Sequence, residues 1–206
     1  MKSNKNMFYY SFLFSELDTL LKGFRTIQKK PSLSSVPPNR PHDRKVKDLA
    51  KTRDIALCGI LAALYATATV VLTPISYWIV QCRVADSLIP MSAIFGWPAI
   101  VGVSLGCVVA NVYGGLGLID IVLGTLANLL ASLCAYMLRK KPFVACFSST
   151  IIVTVIVGGY LWILFNVPLE FSLIGVFLGS FISMNLLGYM LLKVLSKIVG
   201  RTETKT

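Results

Sequence analysis

From Ile55 onward the chain is a succession of apolar runs broken only by short polar or charged turns. That pattern constrains the fold more than any motif, because runs of about 20 apolar residues fit the hydrocarbon core of a bilayer. Inside that core, backbone groups must be satisfied within the spanning structure itself, leaving helices or closed barrels. Period-2 alternation, the mark of a barrel strand, is absent. Composition agrees: the chain is 55% hydrophobic and 14% charged, where a soluble domain carries about 25% charge. The expected fold class is therefore an all-α membrane protein.

The formal charge of +11 invites a nucleic-acid partner, but its distribution argues for topology instead. Twelve of the 20 Lys and Arg precede Ile55, one is Arg83, three are Arg139, Lys140 and Lys141, and four follow Met190. Basic residues in short segments beside apolar runs set orientation. Both termini and the 139–141 loop are thus expected on the cytoplasmic side, with an even number of spans between each pair of landmarks.

Residues 1–54 read as a basic leader, interfacial or disordered, with a Pro- and Ser-rich linker at 31–43; no small-x-small site follows its apolar stretch, so it is not read as a cleaved signal peptide. Residues 55–198 read as a six-helix membrane domain for substrate binding, and 199–206 as a cytoplasmic tail. The first span, Ile55–Leu72, carries Gly59, Ala62, Ala63, Ala66 and Thr67 at helical spacing. Such residues let another helix approach closely, most often inside the same bundle. Val84–Tyr113 is too short for two full spans. Pro90 and Gly96-Trp97-Pro98 suggest that the second and third helices are both short or broken and meet at a cytoplasmic turn. Leu118–Leu138, Phe143–Phe165 (interrupted at Gly158-Gly159) and Phe171–Leu192 complete the six.

Two carboxylates, Asp86 and Asp120, fall within or beside these apolar segments. Ionisable groups there cost several kcal/mol unless paired or facing a cavity, so each is a candidate functional group. The bland alternatives are that Asp86 only pairs with Arg83 one turn away and that Asp120 only caps the following helix. No P-loop occurs, the only histidine, His42, lies in the leader, and the five cysteines are scattered without metal or redox spacing. Nothing resembles a catalytic constellation. The expectation is a non-enzyme without a cofactor or metal.

Three segments together carry a resemblance. Gln81-x-Arg83-Val84-x-Asp86-x-Leu88, Leu105-Gly106-Cys107-x-x-Ala110-Asn111, and Gly114-Gly115-Leu116-Gly117-Leu118-Ile119-Asp120-Ile121-Val122-x-Gly124 resemble the QueT family over roughly Asp54 to Ile198. The resemblance implies a six-helix substrate-binding subunit (S component) of an energy-coupling-factor transporter for queuosine precursors. It also implies partners: a transmembrane coupling subunit and two ATP-binding subunits, which supply the ATPase that this chain lacks. An Ala-x-x-x-Ala pattern on the first helix of such subunits contacts the coupling subunit, which points to Ala62 and Ala66. The chain departs from the family pattern at Asp86, where Glu is usual, and at Gly159-Tyr160 and Gly179-Ser180, where acids are common.

The resulting expectation is a cell-membrane subunit, with lipid around it, that captures a planar 7-deazaguanine-type solute from outside. Its candidate pocket residues are Gln81, Arg83, Asp86, Asn111 and Asp120, with Trp78, Tyr160 and Trp162 as stacking or lid residues. A carboxylate can accept the ring N–H and exocyclic amine together. If Arg83 neutralises Asp86 and the ring occupies Asp120, no anion is left for an aminomethyl cation, and the neutral 7-cyano form is expected to bind better. The alternatives are an S component for another planar vitamin-like solute, a membrane scaffold, and an intramembrane enzyme. The last would want an acid cluster or metal motif, and the sequence shows neither.

Overall fold

A computed structural model describes residues 41–72 and 83–203, with side chains from 51 to 72 and from 83 to 198. The leader up to residue 40 and the connection 73–82, with Trp78 and Gln81, lie outside the described residues. Among the described residues the structure is helical throughout, with five helices long and apolar enough to cross a membrane and one shorter apolar helix.

α1 (Pro41–Val71) is one continuous helix whose membrane-compatible part is Lys51–Val71. The expected linker at 31–43 therefore gives way to helix by Pro41, a residue whose fixed φ suits a first helical turn. α2 (Val84–Phe95) is the short one: a 3-10 helix over Val84–Met91 followed by a single α-turn, Ser92–Phe95. α3 (Trp97–Gly114), α4 (Asp120–Met137), α5 (Pro142–Phe165) and α6 (Leu169–Ile198) follow. Two stretches are wound as π-helix, Asp120–Gly124 at the start of α4 and Phe181–Gly188 within α6.

The compact unit Asp54–Ser196 carries everything described below. Within it α5 packs on α4 and α6, α4 packs on α3 and α2, and the 3-10 part of α2 lies against the π segment of α6. The lipid-facing side is legible on α3, where Val101, Leu105, Val109 and Val112 are exposed while Gly102, Gly106, Ala110 and Asn111 are buried. Polar contacts between helices include side chain to carbonyl bonds: Ser92 Oγ donates to Ser132 O at 2.7 Å, Ser149 Oγ to Ala131 O at 2.9 Å, and Ser172 Oγ to Gly158 O at 2.9 Å.

Two sequence expectations need correction. α3 is neither short nor broken; its 18 residues run without interruption, and only α2 is truncated. The turn between them rests on Gly96, at φ 66° and ψ −138°, a conformation that a Cβ disfavours. Nor is α5 interrupted at Gly158-Gly159, since its 24 residues are continuous. Gly158 instead brings α6 close, because an added Cβ would lie 2.9 Å from Leu173 Cδ2 and 3.2 Å from its Cα.

Glycines also seat α1. A Cβ on Gly102 would lie 2.6 Å from Cys58 O, and one on Gly106 would lie 2.6 Å from Ala62 O and 2.8 Å from Tyr65 Cβ. The first helix therefore rests, backbone to backbone, on a Gly-x-x-x-Gly face of α3. Ala62 and Ala66 are half-buried, while Gly59, Ala63 and Thr67 are exposed, with nothing within 4 Å of a Cβ placed on Gly59.

Candidate functional site

The start of α2 and the start of α4 each bring one carboxylate inside the bundle. Arg83 and Asp86 flank the first 3-10 turn, closed by Asp86 N–H donating to Arg83 O at 2.9 Å. Arg83 is the extended N-cap of this coil, at φ −77° and ψ 96°, so the 3-10 winding aims Asp86 while the direction of the guanidinium is set outside the coil. Asp120 opens the π turn that begins α4. Arg83, Asp86 and Asp120 are 4%, 3% and 0% exposed, which makes them three ionisable groups enclosed by membrane helices. Each costs about 3 kcal/mol at the centre of a membrane helix if uncompensated, so their partners decide what the site is.

Asp120 is held from two directions. Tyr160 Oη, on α5, donates to Asp120 Oδ1 at 2.5 Å, and Arg83 Nη2 approaches the same oxygen at 3.5 Å. Asn111, on α3, donates through Nδ2 to the backbone carbonyl of Asp120 at 2.9 Å. This close approach depends on Gly124, where a Cβ would lie 2.5 Å from Asn111 Nδ2 and 3.3 Å from Tyr160 Oη. Asp120 Oδ2 and Asn111 Oδ1 are buried without a hydrogen-bond partner among the described residues.

Asp86 is held differently. Tyr65 Oη, on α1, donates to Asp86 Oδ1 at 2.6 Å, and Asn128 Nδ2, on α4, donates to Tyr65 Oη at 2.7 Å. Tyr65 is 0% and Asn128 2% exposed. Arg83 also lies within electrostatic reach of Asp86 and of Tyr65.

Arg83, Asp86 and Asn128, with Ser180 of α6 and the aliphatic Val153, Val157 and Val176, line a cavity of about 10 Å³. That is room for about one water. Sites for small molecules run to about 300 Å³ or more, so a ring can enter only if the lining moves apart.

The structure thus gathers Arg83, Asp86, Asn111, Asp120 and Tyr160 in one cluster. It does not bring in Trp162, which is 41% exposed and donates through Nε1 to Gly159 O at 3.0 Å. Tyr160 holds Asp120 by its hydroxyl, a role different from stacking. Asp120 directs its carboxylate at Tyr160 and Arg83, so it does more than cap its helix. Glu170 is exposed in the first turn of α6. Three residues outside the expected pocket set also contribute: Tyr65, Asn128 and Ser180. Asn128 midway along an apolar run and Ser180 at a position where family acids are common were the available signals; Tyr65 gave none.

The family model described as QueT transporter matches residues 55–197. No curated protein and no solved structure matches the chain.

Proposed function

This chain belongs to the QueT transporter family, and from that premise we propose that it is the substrate-binding subunit of an energy-coupling-factor uptake transporter for a 7-deazaguanine-type queuosine precursor. The observation that carries the reading is the buried cluster of Arg83, Asp86 and Asp120 beside a polar-and-aliphatic cavity. Helix packing alone does not need three ionisable groups, since the serine-to-carbonyl contacts between helices already supply polar glue. A ring with adjacent N–H donors is a natural partner for a carboxylate in a dry site, and Val153, Val157 and Val176 offer it apolar walls.

The charge count bears on which precursor fits. Two carboxylates face one guanidinium, so the cluster carries one formal negative charge in excess, and Asp120 Oδ2 is a buried acceptor. An aminomethyl cation balances that excess, whereas a nitrile leaves it. We therefore favour the aminomethyl form over the cyano form that the sequence alone suggested, because the guanidinium is drawn to Asp120 and does not serve Asp86 alone.

Transport in this reading needs a coupling subunit and two ATP-binding subunits, docked on the side of α1 where Gly59, Ala63 and Thr67 are exposed, since Ala62 is already seated on Gly106 of α3. The termini and the basic loop at 139–141 lie in the cytoplasm, and the solute enters from the opposite side. The direct test is calorimetric titration of both 7-deazaguanine forms into purified protein in nanodiscs. Binding of the aminomethyl form, lost in Asp86→Asn and weakened in Asp120→Asn, is the expected result. Failure of the wild-type protein to bind either form would refute the reading.

A further inference from the structure

The cavity is lined by both polar and aliphatic side chains, and one of its hydrogen-bonding positions is filled by the protein itself. Tyr65 Oη simultaneously gives a hydrogen bond to Asp86 Oδ1 at 2.6 Å and receives one from Asn128 Nδ2 at 2.7 Å. Asp86 and Asn128 both line the cavity, whereas Tyr65 reaches them from α1. A carboxylate beside an amide N–H is a paired acceptor and donor. What complements that pair on a planar solute is an N–H next to a C=O, the lactam edge of a guanine-type ring. A single hydroxyl can mimic such an edge because it is donor and acceptor in one atom.

We propose that Asp86 and Asn128 form the subsite that reads the lactam edge of the ligand, and that the Tyr65 hydroxyl is a place-holder which the ligand displaces. This rests on the reading of the protein as a binder of 7-deazaguanine-type rings. Ring N–H replaces Tyr65 O–H on Asp86, and the ring carbonyl replaces Tyr65 Oη as acceptor for Asn128. The exchange conserves the hydrogen bonds of Asp86 and Asn128, and the Tyr65 hydroxyl, which gives up both, has to find partners where it withdraws, since an orphaned buried polar group is costly. A solute that presents only donors or only acceptors leaves one of the two unmet and is rejected.

Removal of the hydroxyl also opens the site. With about 10 Å³ present, the bridging ring has to withdraw before a bicyclic solute can lie between Asp86, Asn128 and the valines. Gly106 packs on the Cβ of Tyr65, where its own Cβ would lie 2.8 Å away. The hydroxyl therefore leaves either by rotation about the side-chain bonds or with a displacement of α1 across α3.

The test uses 7-deazaguanine and its 6-thio analogue, which keeps the ring N–H but replaces the carbonyl oxygen with a weakly accepting sulfur, titrated calorimetrically into full-length protein in nanodiscs. Tyr65→Phe removes the competitor and should bind 7-deazaguanine about tenfold more tightly. Asn128→Leu should erase the wild-type preference for 7-deazaguanine over the analogue. Tyr65→Phe with equal or weaker affinity would overturn the place-holder role, while the functional reading would stand on wild-type binding. An Asn128→Leu variant that loses both ligands in equal proportion would make Asn128 structural and overturn the subsite. Absence of binding in the wild type and in both variants would overturn the functional reading together with this one.

Discussion

Gly124→Ala separates a packing role from a propensity effect by sign. Helix propensity alone makes alanine better than glycine by about 1 kcal/mol in a helix interior, so a position without spatial demands should be stabilised. Here the new methyl group would sit 2.5 Å from Asn111 Nδ2, closer than atoms can approach. Asn111 cannot simply swing aside, because it is 0% exposed and its amide is bonded to the carbonyl of Asp120 at 2.9 Å. Displacing it forfeits that bond and leaves buried polar groups unmet, at about 1–3 kcal/mol, with overpacking adding about 1–3 kcal/mol. Against the propensity gain, the net destabilisation is about 1–5 kcal/mol. Unfolding followed by intrinsic tryptophan fluorescence in nanodiscs should show the loss. The double variant Gly124→Ala with Asn111→Ala should recover part of it, because the clashing amide is gone. A Gly124→Ala protein as stable as the wild type, or more so, would refute the account of how α3 and α4 meet at Asp120.

Other outcomes follow from the same geometry. Gly106→Ala, whose methyl group meets Ala62 O and Tyr65 Cβ, should destabilise by about 1–3 kcal/mol, whereas Gly59→Ala, with open space around it, should be neutral or slightly stabilising in the same melts. Tyr160→Phe should weaken binding of the aminomethyl ligand by about tenfold through loss of a hydrogen bond to a charged group, while Trp162→Phe should leave affinity unchanged; equal losses would restore a stacking role to Trp162. Ala63→Leu on the exposed side of α1 should reduce co-purification with the coupling subunit and spare ligand binding, and loss of both would mean that the substitution perturbs the bundle. In a background without native cysteines, a cysteine at Glu170 should react with an impermeant maleimide added outside intact cells and one at Lys141 should not; the reverse would invert the orientation.

The sequence made the membrane class and the identities of Asp86, Asp120, Arg83 and Asn111 legible because charge and amide groups stand out against apolar runs. It could not reveal how they are paired. Arg83 and Asp86 are three residues apart and suggest a local pair, yet the guanidinium also reaches Asp120 on another helix, a contact set by how α2 and α4 pack. Tyr65 was invisible for the opposite reason. A tyrosine among alanines reads as ordinary apolar filling, and only tertiary structure shows that its hydroxyl ends between a carboxylate and an amide. The small residues of α1 fit packing inside the bundle or, by the family resemblance, a surface for a partner at Ala62 and Ala66, and Ala62 faces the glycines of α3 with its backbone. A small residue marks close approach without saying whose helix approaches.

The winding of α2 has a consequence of its own. A helix turned at 3.0 residues per turn advances by about 120° per residue and one at 3.6 by about 100°. Over the four residues from Asp86 to Pro90, both inside the coil, the two windings differ by about 80°, enough to turn the carboxylate out of its present direction while Pro90 stays against α6. The tighter coil also rises about 2.0 Å per residue instead of about 1.5 Å, so the eight residues Val84–Met91 gain about 4 Å of depth. Pro90 near the end of this coil lacks an N–H, and Gly188 of α6 lies close to it, 3.1 Å from Pro90 Cγ if given a Cβ. The pitch of one short helix thus acts as an aiming device: relaxing it to an ordinary α-helix would shorten it and turn Asp86 away from the Tyr65 hydroxyl without changing a single residue.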